Sequence, residues 1–308
     1  MTASRVLCVV GPTAVGKSSI AEEVALRLGG EVVSVDSMQV YVGMDIGTAK
    51  LPPQERRCPL HMGDVATLDS PYSVAQFQAD ARCCVDGLVS KGMVPVLCGG
   101  TGLYLDAVID QMDFPHGETC GTRREPYESI AEAQGPNALH ALLASRDPQS
   151  AELIHPNNVR RVVRALEMLD QGVSYARQHE GLLARSRHYD AAIWALTLPR
   201  ETLYQRIDAR VDLMFEQGLV SEVQKLKDMG LESSITAQKA IGYKEVLSHL
   251  RGEMTLDEAR ETIKRNTRRY AKRQLSWIRR DGRAHVLDLG VMSAQEATCR
   301  ICEEWGSA

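Results

Sequence analysis

No apolar run in this chain approaches the roughly twenty residues of a membrane-spanning helix, so a membrane protein is excluded on pattern. There is no excess of positive charge: the formal net charge is −4, and any contact with nucleic acid must come from a local patch. The 8 cysteines are scattered. Cys299-x-x-Cys302 has no second ligand pair, so a zinc site of about four ligands is not supported. Reduced thiols, and apolar sequence that starts within the first ten residues with no charged leader, make a cytoplasmic protein the expectation. Internal repeats and low-complexity tracts are also missing. What remains is an ordinary composition, 44% hydrophobic and 25% charged over 308 residues, enough for one large domain or a domain with an insertion.

Against this background one segment stands out. Gly11-Pro12-Thr13-Ala14-Val15-Gly16-Lys17-Ser18 fits G-x-x-x-x-G-K-[ST]. The apolar run Val6–Val10 precedes it and the helical spacing of Ser19 to Leu28 follows. In that strand–loop–helix setting, backbone amides and the helix N-terminus point positive charge at a phosphate. Lys17 adds a point charge and the Ser18 hydroxyl can ligate magnesium. The loop therefore binds a polyphosphate or diphosphate, without saying which.

Short apolar runs recur. Val32–Val35 ends at Asp36, Val94–Cys98 ends at Gly99-Gly100, and a helical pattern over Val74 to Lys91 lies between. This is the pattern of a parallel sheet flanked by helices, whose ligands sit at the carboxyl ends of the strands. From Phe114 to Tyr189 only helical patterns appear, among them Asn137 to Ala144 and Val159 to Leu169. A strand over Ala191 to Leu198, further helices and a last strand over His285 to Leu289 complete the chain. The expected fold is an α/β, P-loop NTPase-like parallel sheet with a helical insertion. Its parts are a core of 1–113, a helical insertion of 114–190 and a second core part of 191–308.

Asp36 at a strand end beside a phosphate loop can hold magnesium, accept a proton or cap a turn. Gln39 carries the donor and acceptor pair that fits an adenine edge. Asp45–Lys50 reads as a turn with a solvated lysine. Gly99-Gly100-Thr101-Gly102 is a second glycine-rich turn that directs the Thr101 hydroxyl to the same crevice. Arg160 and Arg164 share a helix face close to a helix N-terminus, where cations oppose the macrodipole unless an anion is bound. The alternative there is a solvated face with Glu167 as partner of Arg164. Lys264 to Arg283 gathers nine basic residues with Tyr270 and Trp277 interleaved, which reads either as a nucleic-acid contact with stacking surfaces or as a solvated amphipathic helix.

Taken in order, these segments resemble the tRNA dimethylallyltransferases, also called tRNA isopentenyltransferases. The matching residues are Gly11–Ser18, Asp36-Ser37-Met38-Gln39-Val40-Tyr41, Asp45–Lys50, Gly99–Tyr104, His155-Pro156-Asn157, Arg161-x-x-Arg164-Ala165-Leu166-Glu167, Ile241–Glu245, Thr267–Gln274 and Trp277. The resemblance covers nearly the whole chain. It implies transfer of a dimethylallyl group from dimethylallyl diphosphate to the N6 amine of the adenosine 3′ of the tRNA anticodon, with magnesium helping diphosphate to leave. It implies that Asp36, Thr101 and Lys17 are catalytic. It places the diphosphate on Gly11, Pro12, Thr13, Ala14, Val15, Gly16, Lys17 and Ser18, with Ser18 on the metal. It implies tRNA contacts from Asp36, Ser37, Met38, Gln39, Thr101, Arg124, Arg160, Arg161, Val162, Val163, Arg164, Arg268, Lys272 and Arg273. A monomer is expected. The segment that usually reads Pro-His-His-Leu-x-Asp is Pro59-Leu60-His61-Met62-Gly63-Asp64 here, and either Arg123 or Arg124 fills the arginine position at the start of the insertion. Two other readings of the phosphate loop are a small-molecule kinase, marked by lid arginines for a γ-phosphate, and a non-catalytic RNA-binding protein.

Overall fold

The computed structural model describes residues 4–70, 72–114, 124–183 and 186–307. Six strands form one all-parallel sheet: β1 (Arg5–Val10), β2 (Gly30–Val35), β3 (Leu60–His61), β4 (Val94–Gly99), β5 (Asp190–Thr197) and β6 (Ala284–Asp288), in the order β3-β2-β4-β1-β5-β6. The valine-rich runs are strands because both faces of the sheet are covered. One hydrophobic cluster gathers Val6, Cys8 and Val10 with Phe77 and Tyr243, and the other gathers Leu7 and Val9 with Ile20 and Trp194. The two-residue β3 was not foreseen; it pairs Val32 with Leu60 and Val33 with His61.

Helix α1 (Lys17–Leu28) follows β1 and α2 (Val74–Ser90) precedes β4. Gly16 lies at φ 102, a conformation L side chains rarely adopt, and this lets the chain turn from loop into helix. Helix α3 (Gly102–Ile109) follows β4. The register then decides what meets. Val10, Gly99 and Val35 lie side by side at the carboxyl ends of β1, β4 and β2. Their successors, Gly11, Gly100 and Asp36, therefore open onto one edge.

The chain divides into two compact units. One is Met1–Ile109 with His188–Ala308, and the other is Asp110–Arg187. The second unit starts before the 114 and ends before the 190 expected from sequence because Asp110 and Arg187 form an antiparallel bridge and Gln111 N–H donates to Ser186 O at 2.6 Å. It contains α4 (Glu125–Gln134), α5 (Pro136–Arg146), α6 (Pro148–Leu153), α7 (Val159–Asp170) and α8 (Tyr175–Leu183), with its own core of Leu139, Leu143, Ile154, Val162, Val163 and Leu166. The first unit is completed by α9 (Arg200–Glu216), α10 (Leu219–Asp228), α11 (Tyr243–Leu250), α12 (Leu256–Ile278) and α13 (Ala294–Gly306). Among the described residues no helix is long and apolar enough to cross a membrane.

Candidate active site

A cavity of about 310 Å³ opens in the first unit where the three strand ends meet. Thr13, Ala14, Lys17 and Ser18 of the phosphate loop line it, together with Asp36 to Gln39, Gly47 to Ala49, Arg210, Tyr270, Arg273 and Gln274. Ala14 at φ 64 and Gly16 at φ 102 shape the loop. A buried glutamine of α12 fastens it. Gln274 Oε1 accepts the Thr13 N–H at 2.9 Å and Gln274 Nε2 donates to Gly100 O at 3.0 Å, so one amide joins the phosphate loop to the second glycine turn.

The site is electrostatically biased toward an anion. Lys17 and Arg210 are half-buried, and Arg210 Nη1 reaches Thr13 Oγ1 at 3.4 Å. Burial lowers the pKa of both cations. At Lys17 the neighbouring Arg210 lowers it further, while Asp36 pulls the other way for each of them. A bound diphosphate reverses the Lys17 shift. The free protein therefore holds fewer protons than the complex on the alkaline side, so binding takes up protons there and affinity falls as pH rises. Titrating a non-reactive diphosphate donor analogue in alkaline buffers of different ionisation heat is expected to show net proton uptake, absent in Lys17→Met.

Asp36 makes a tight turn: its Oδ1 accepts the N–H of Met38 at 2.9 Å and of Gln39 at 3.4 Å. That leaves the second carboxylate oxygen for the cavity. The Thr101 hydroxyl accepts the Ser37 N–H at 3.3 Å, and Thr101 hydrogen-bonds to Tyr270, whose own hydroxyl is pushed up to about 12 by burial. Thr101 itself does not line the cavity. Gln39 is held at both ends, by Ser34 and by the Thr48 carbonyl. Beneath the loop, burial pushes the Cys98 thiol up to about 11, against the opposing effect of Lys17.

Several expectations change. Lys50 is not solvated: it is 4% exposed, and its Nζ donates to Tyr41 O at 3.0 Å and pairs with Asp64 at 2.5 Å and Asp45 at 2.8 Å. Asp45–Gly47 is a braced loop in which Glu222 of α10 accepts the N–H groups of Asp45, Ile46 and Gly47, and the Tyr243 hydroxyl at 2.6 Å. Gly47 is required there because a Cβ would lie 2.4 Å from the Tyr243 ring. Trp277 is half-buried. It packs over Gly102, and its Nε1 donates to Asp106 at 3.1 Å. Tyr270 lines the cavity. The basic stretch is partly neutralised by α9, with Arg268 on Asp208 at 2.6 Å and Lys264 on Asp212 at 2.8 Å. Lys272 and Arg273 remain exposed, as do Arg265, Arg269, Arg279 and Arg280.

In the second unit, Arg160 and Arg161 are exposed near the start of α7, whereas Val162 and Val163 are buried in that unit's core and cannot offer side chains to RNA. Arg124 grips the buried Glu167 through two bonds of 2.7 and 3.1 Å, and Arg164 stands 3.6 Å from the same carboxylate. Arg123 lies outside the described residues. The residue that sequence reading missed is Arg210. Its signal is a place on the apolar face of α9, among Leu203, Ile207 and Val211.

A family model described as IPP transferase matches residues 39–281, and one described as isopentenyl transferase matches residues 4–57. A tRNA dimethylallyltransferase of Carboxydothermus hydrogenoformans is 44% identical over 304 residues, covering 98% of this chain and 97% of the relative. Another, of Streptomyces coelicolor, is 47% identical over 295 residues, covering 96% and 93%. The crystal structure of a tRNA delta(2)-isopentenylpyrophosphate transferase from Staphylococcus epidermidis aligns with a TM-score of 0.73 at 37% identity over 99% of both chains. A eukaryotic dimethylallyltransferase acting on tRNA aligns at 0.79 and 28% identity over 99% of this chain and 80% of that one. With a phosphate loop, a facing carboxylate and these relatives over almost its whole length, the chain belongs to the IPP transferase family, among the tRNA dimethylallyltransferases.

Proposed function

We infer that the protein transfers a dimethylallyl group from dimethylallyl diphosphate to the N6 amine of the adenosine immediately 3′ of the anticodon in tRNA, releasing diphosphate. The observation that carries this reading is a cavity in which two half-buried cations, Lys17 and Arg210, share space with the Asp36 carboxylate. The cations and the amides of Gly11–Ser18 take the diphosphate. Charge builds on it as the allylic carbon–oxygen bond breaks, and cations already in place stabilise that charge. The free oxygen of Asp36 accepts one N6 proton while the nitrogen lone pair attacks the allylic carbon. Thr101, which accepts from Ser37 and hydrogen-bonds to Tyr270, serves the transfer by holding these two cavity residues in place.

Magnesium suits this donor set. Ser18 and Glu22 line the cavity and would offer the oxygens a hard cation prefers, leaving the free oxygen of Asp36 as the base. Among the described residues no cluster of three His, Cys, Asp or Glu that could hold a metal is found. A magnesium ion held at Ser18 would lend the leaving diphosphate positive charge. The target base has to leave the loop stack to reach the cavity.

The test is incubation with labelled dimethylallyl diphosphate, unmodified tRNA and magnesium, without ATP. Label in the tRNA is the expected result. Activity that waits for ATP would favour a kinase-like site, which Arg210 beside the loop would serve equally well. RNA grip is assigned to the exposed cations, Arg160 and Arg161 on α7 and Lys272 with Arg273 on α12. Arg160→Ala with Arg161→Ala is expected to weaken tRNA binding. Filter binding across a salt series should show the slope of log K against log salt flattened by about 1.5, since each lost phosphate contact removes roughly 0.7–0.9. An unchanged slope would leave both arginines as ordinary solvated side chains.

A further inference from the structure

The amide of Gln274 meets two backbone groups of opposite kind. Thr13 N–H can only donate and reaches Oε1 at 2.9 Å, while Gly100 O can only accept and receives Nε2 at 3.0 Å. The main chain therefore decides which end of the amide faces which loop. Tyr270, one turn earlier on α12, hydrogen-bonds through its hydroxyl to both Gln274 and Thr101. The fit is close: Gln274 is 5% exposed, and a Cβ on Gly100 would collide with its Nε2.

These bonds run in series across the site. From the phosphate loop at Thr13 they pass through Gln274 to Gly100. Thr101, next in the chain, accepts the Ser37 N–H at 3.3 Å, and Ser37 lies inside the turn closed by Asp36 Oδ1 on Met38. The register of β1 with β4 ends at Val10 and Gly99, and beyond it Gln274 bridges the two loops. One side of the bridge carries the amides and Lys17 that face a diphosphate, and the other leads to the Asp36 carboxylate.

A leaving group and a base on separate loops react only when both are held at the right distance, and a misplacement of about 1 Å costs on the order of 10²-fold in rate. We propose that Gln274 is a positioning residue for the transfer: it sets the phosphate loop at the distance from Asp36 that attack on the donor requires. This rests on the reading that the loop holds the donor diphosphate and that Asp36 is the base. Its signature is a loss of turnover with both substrates still bound.

The test uses the full chain with labelled donor and anticodon stem-loop RNA. Gln274→Met keeps the length of the side chain and removes both bonds. It is expected to lower kcat about 10²-fold. Affinities for a non-reactive donor analogue and for the RNA, each measured alone, should change little. In Gln274→Glu a protonated carboxyl can still donate to Gly100 O and accept from Thr13, whereas a carboxylate cannot donate. The ratio of its kcat to the wild-type kcat should therefore rise as pH falls, a titration that glutamine does not have. Combining Gln274→Met with Asp36→Asn should cost less than the product of the two single losses, because aligning a base that is already gone brings no benefit. Thermal midpoints identify any variant that fails to fold, and if Gln274→Met does so the pH ratio of Gln274→Glu decides. Unchanged kcat in folded Gln274→Met, a loss confined to donor affinity, a flat pH ratio or fully multiplicative losses would each overturn the proposal. Wild-type protein that transfers no label to RNA sinks the transferase reading itself, whereas an active wild type beside an unaffected variant sinks only the role of Gln274.

Discussion

Asp36→Asn is expected to bind donor and tRNA with near wild-type affinity while turning over about 10²–10⁴-fold more slowly, the usual cost of losing a general base. The choice of asparagine follows from the turn. Asp36 Oδ1 accepts the Met38 and Gln39 amides, and an asparagine oxygen can do the same. Gln39 and Ser37 then stay in place, and only the proton acceptor is removed. Asp36→Ala removes the acceptor and the turn together, so it should also weaken tRNA binding. Single-turnover rates with both substrates saturating, set beside filter-binding affinities, separate the two effects. Near wild-type turnover in Asp36→Asn would show that Asp36 serves the turn alone.

Arg210→Ala should lower kcat by about 10²–10³-fold, the loss seen when one preorganised donor is taken from a developing oxyanion. Arg210 is half-buried beside Lys17 and within reach of Thr13, and Asp36 is the opposite charge acting on it. Two partly desolvated cations with one carboxylate leave net positive charge for the diphosphate to neutralise. Arg210→Lys keeps the charge but shortens the reach and loses the planar fork, so partial recovery is expected. Donor-analogue affinity, measured without tRNA, should weaken in the alanine variant. Unchanged donor affinity and unchanged kcat would place Arg210 outside the diphosphate site.

The parts of this site legible in the sequence are those that follow directly from a strand. Gly11–Ser18, Asp36 and Gly99–Thr101 each continue an apolar run, and parallel register brings such continuations to one edge. Strand β3 was hidden because two residues, Leu60 and His61, carry no periodicity. Arg210 and Glu222 were hidden for another reason. Each stands on a long-range partner surface of an amphipathic helix, where sequence spacing looks like ordinary solvent charge. Their cue is subtle: Arg210 falls on the stripe of Ile207 and Val211, and Glu222 on that of Leu219 and Val223. Lys50 was misread because its two partners, Asp45 and Asp64, come from separate loops and only folding brings them to one ammonium. Val162 and Val163 sit within the arginine motif, and their apolar side chains fill the core of α5–α7 packing while Arg160 and Arg161 before them stay in water.

The ends of the second unit meet each other. Asp110 pairs with Arg187, and one residue further out His188 and Tyr189 donate their N–H groups to Ile109 O at 2.9 and 3.2 Å. For the sheet, seventy-odd residues enter and leave through what is in effect a hairpin. The chain entropy of joining α3 to β5 is then set by that closed neck and is nearly independent of what lies beyond it, since loop closure grows only logarithmically with length. Helices can be added to or trimmed from the insertion over evolutionary time while the phosphate loop, Asp36 and the strand register stay where they are. The neck thus shields the sheet from changes of length in the helices beyond it.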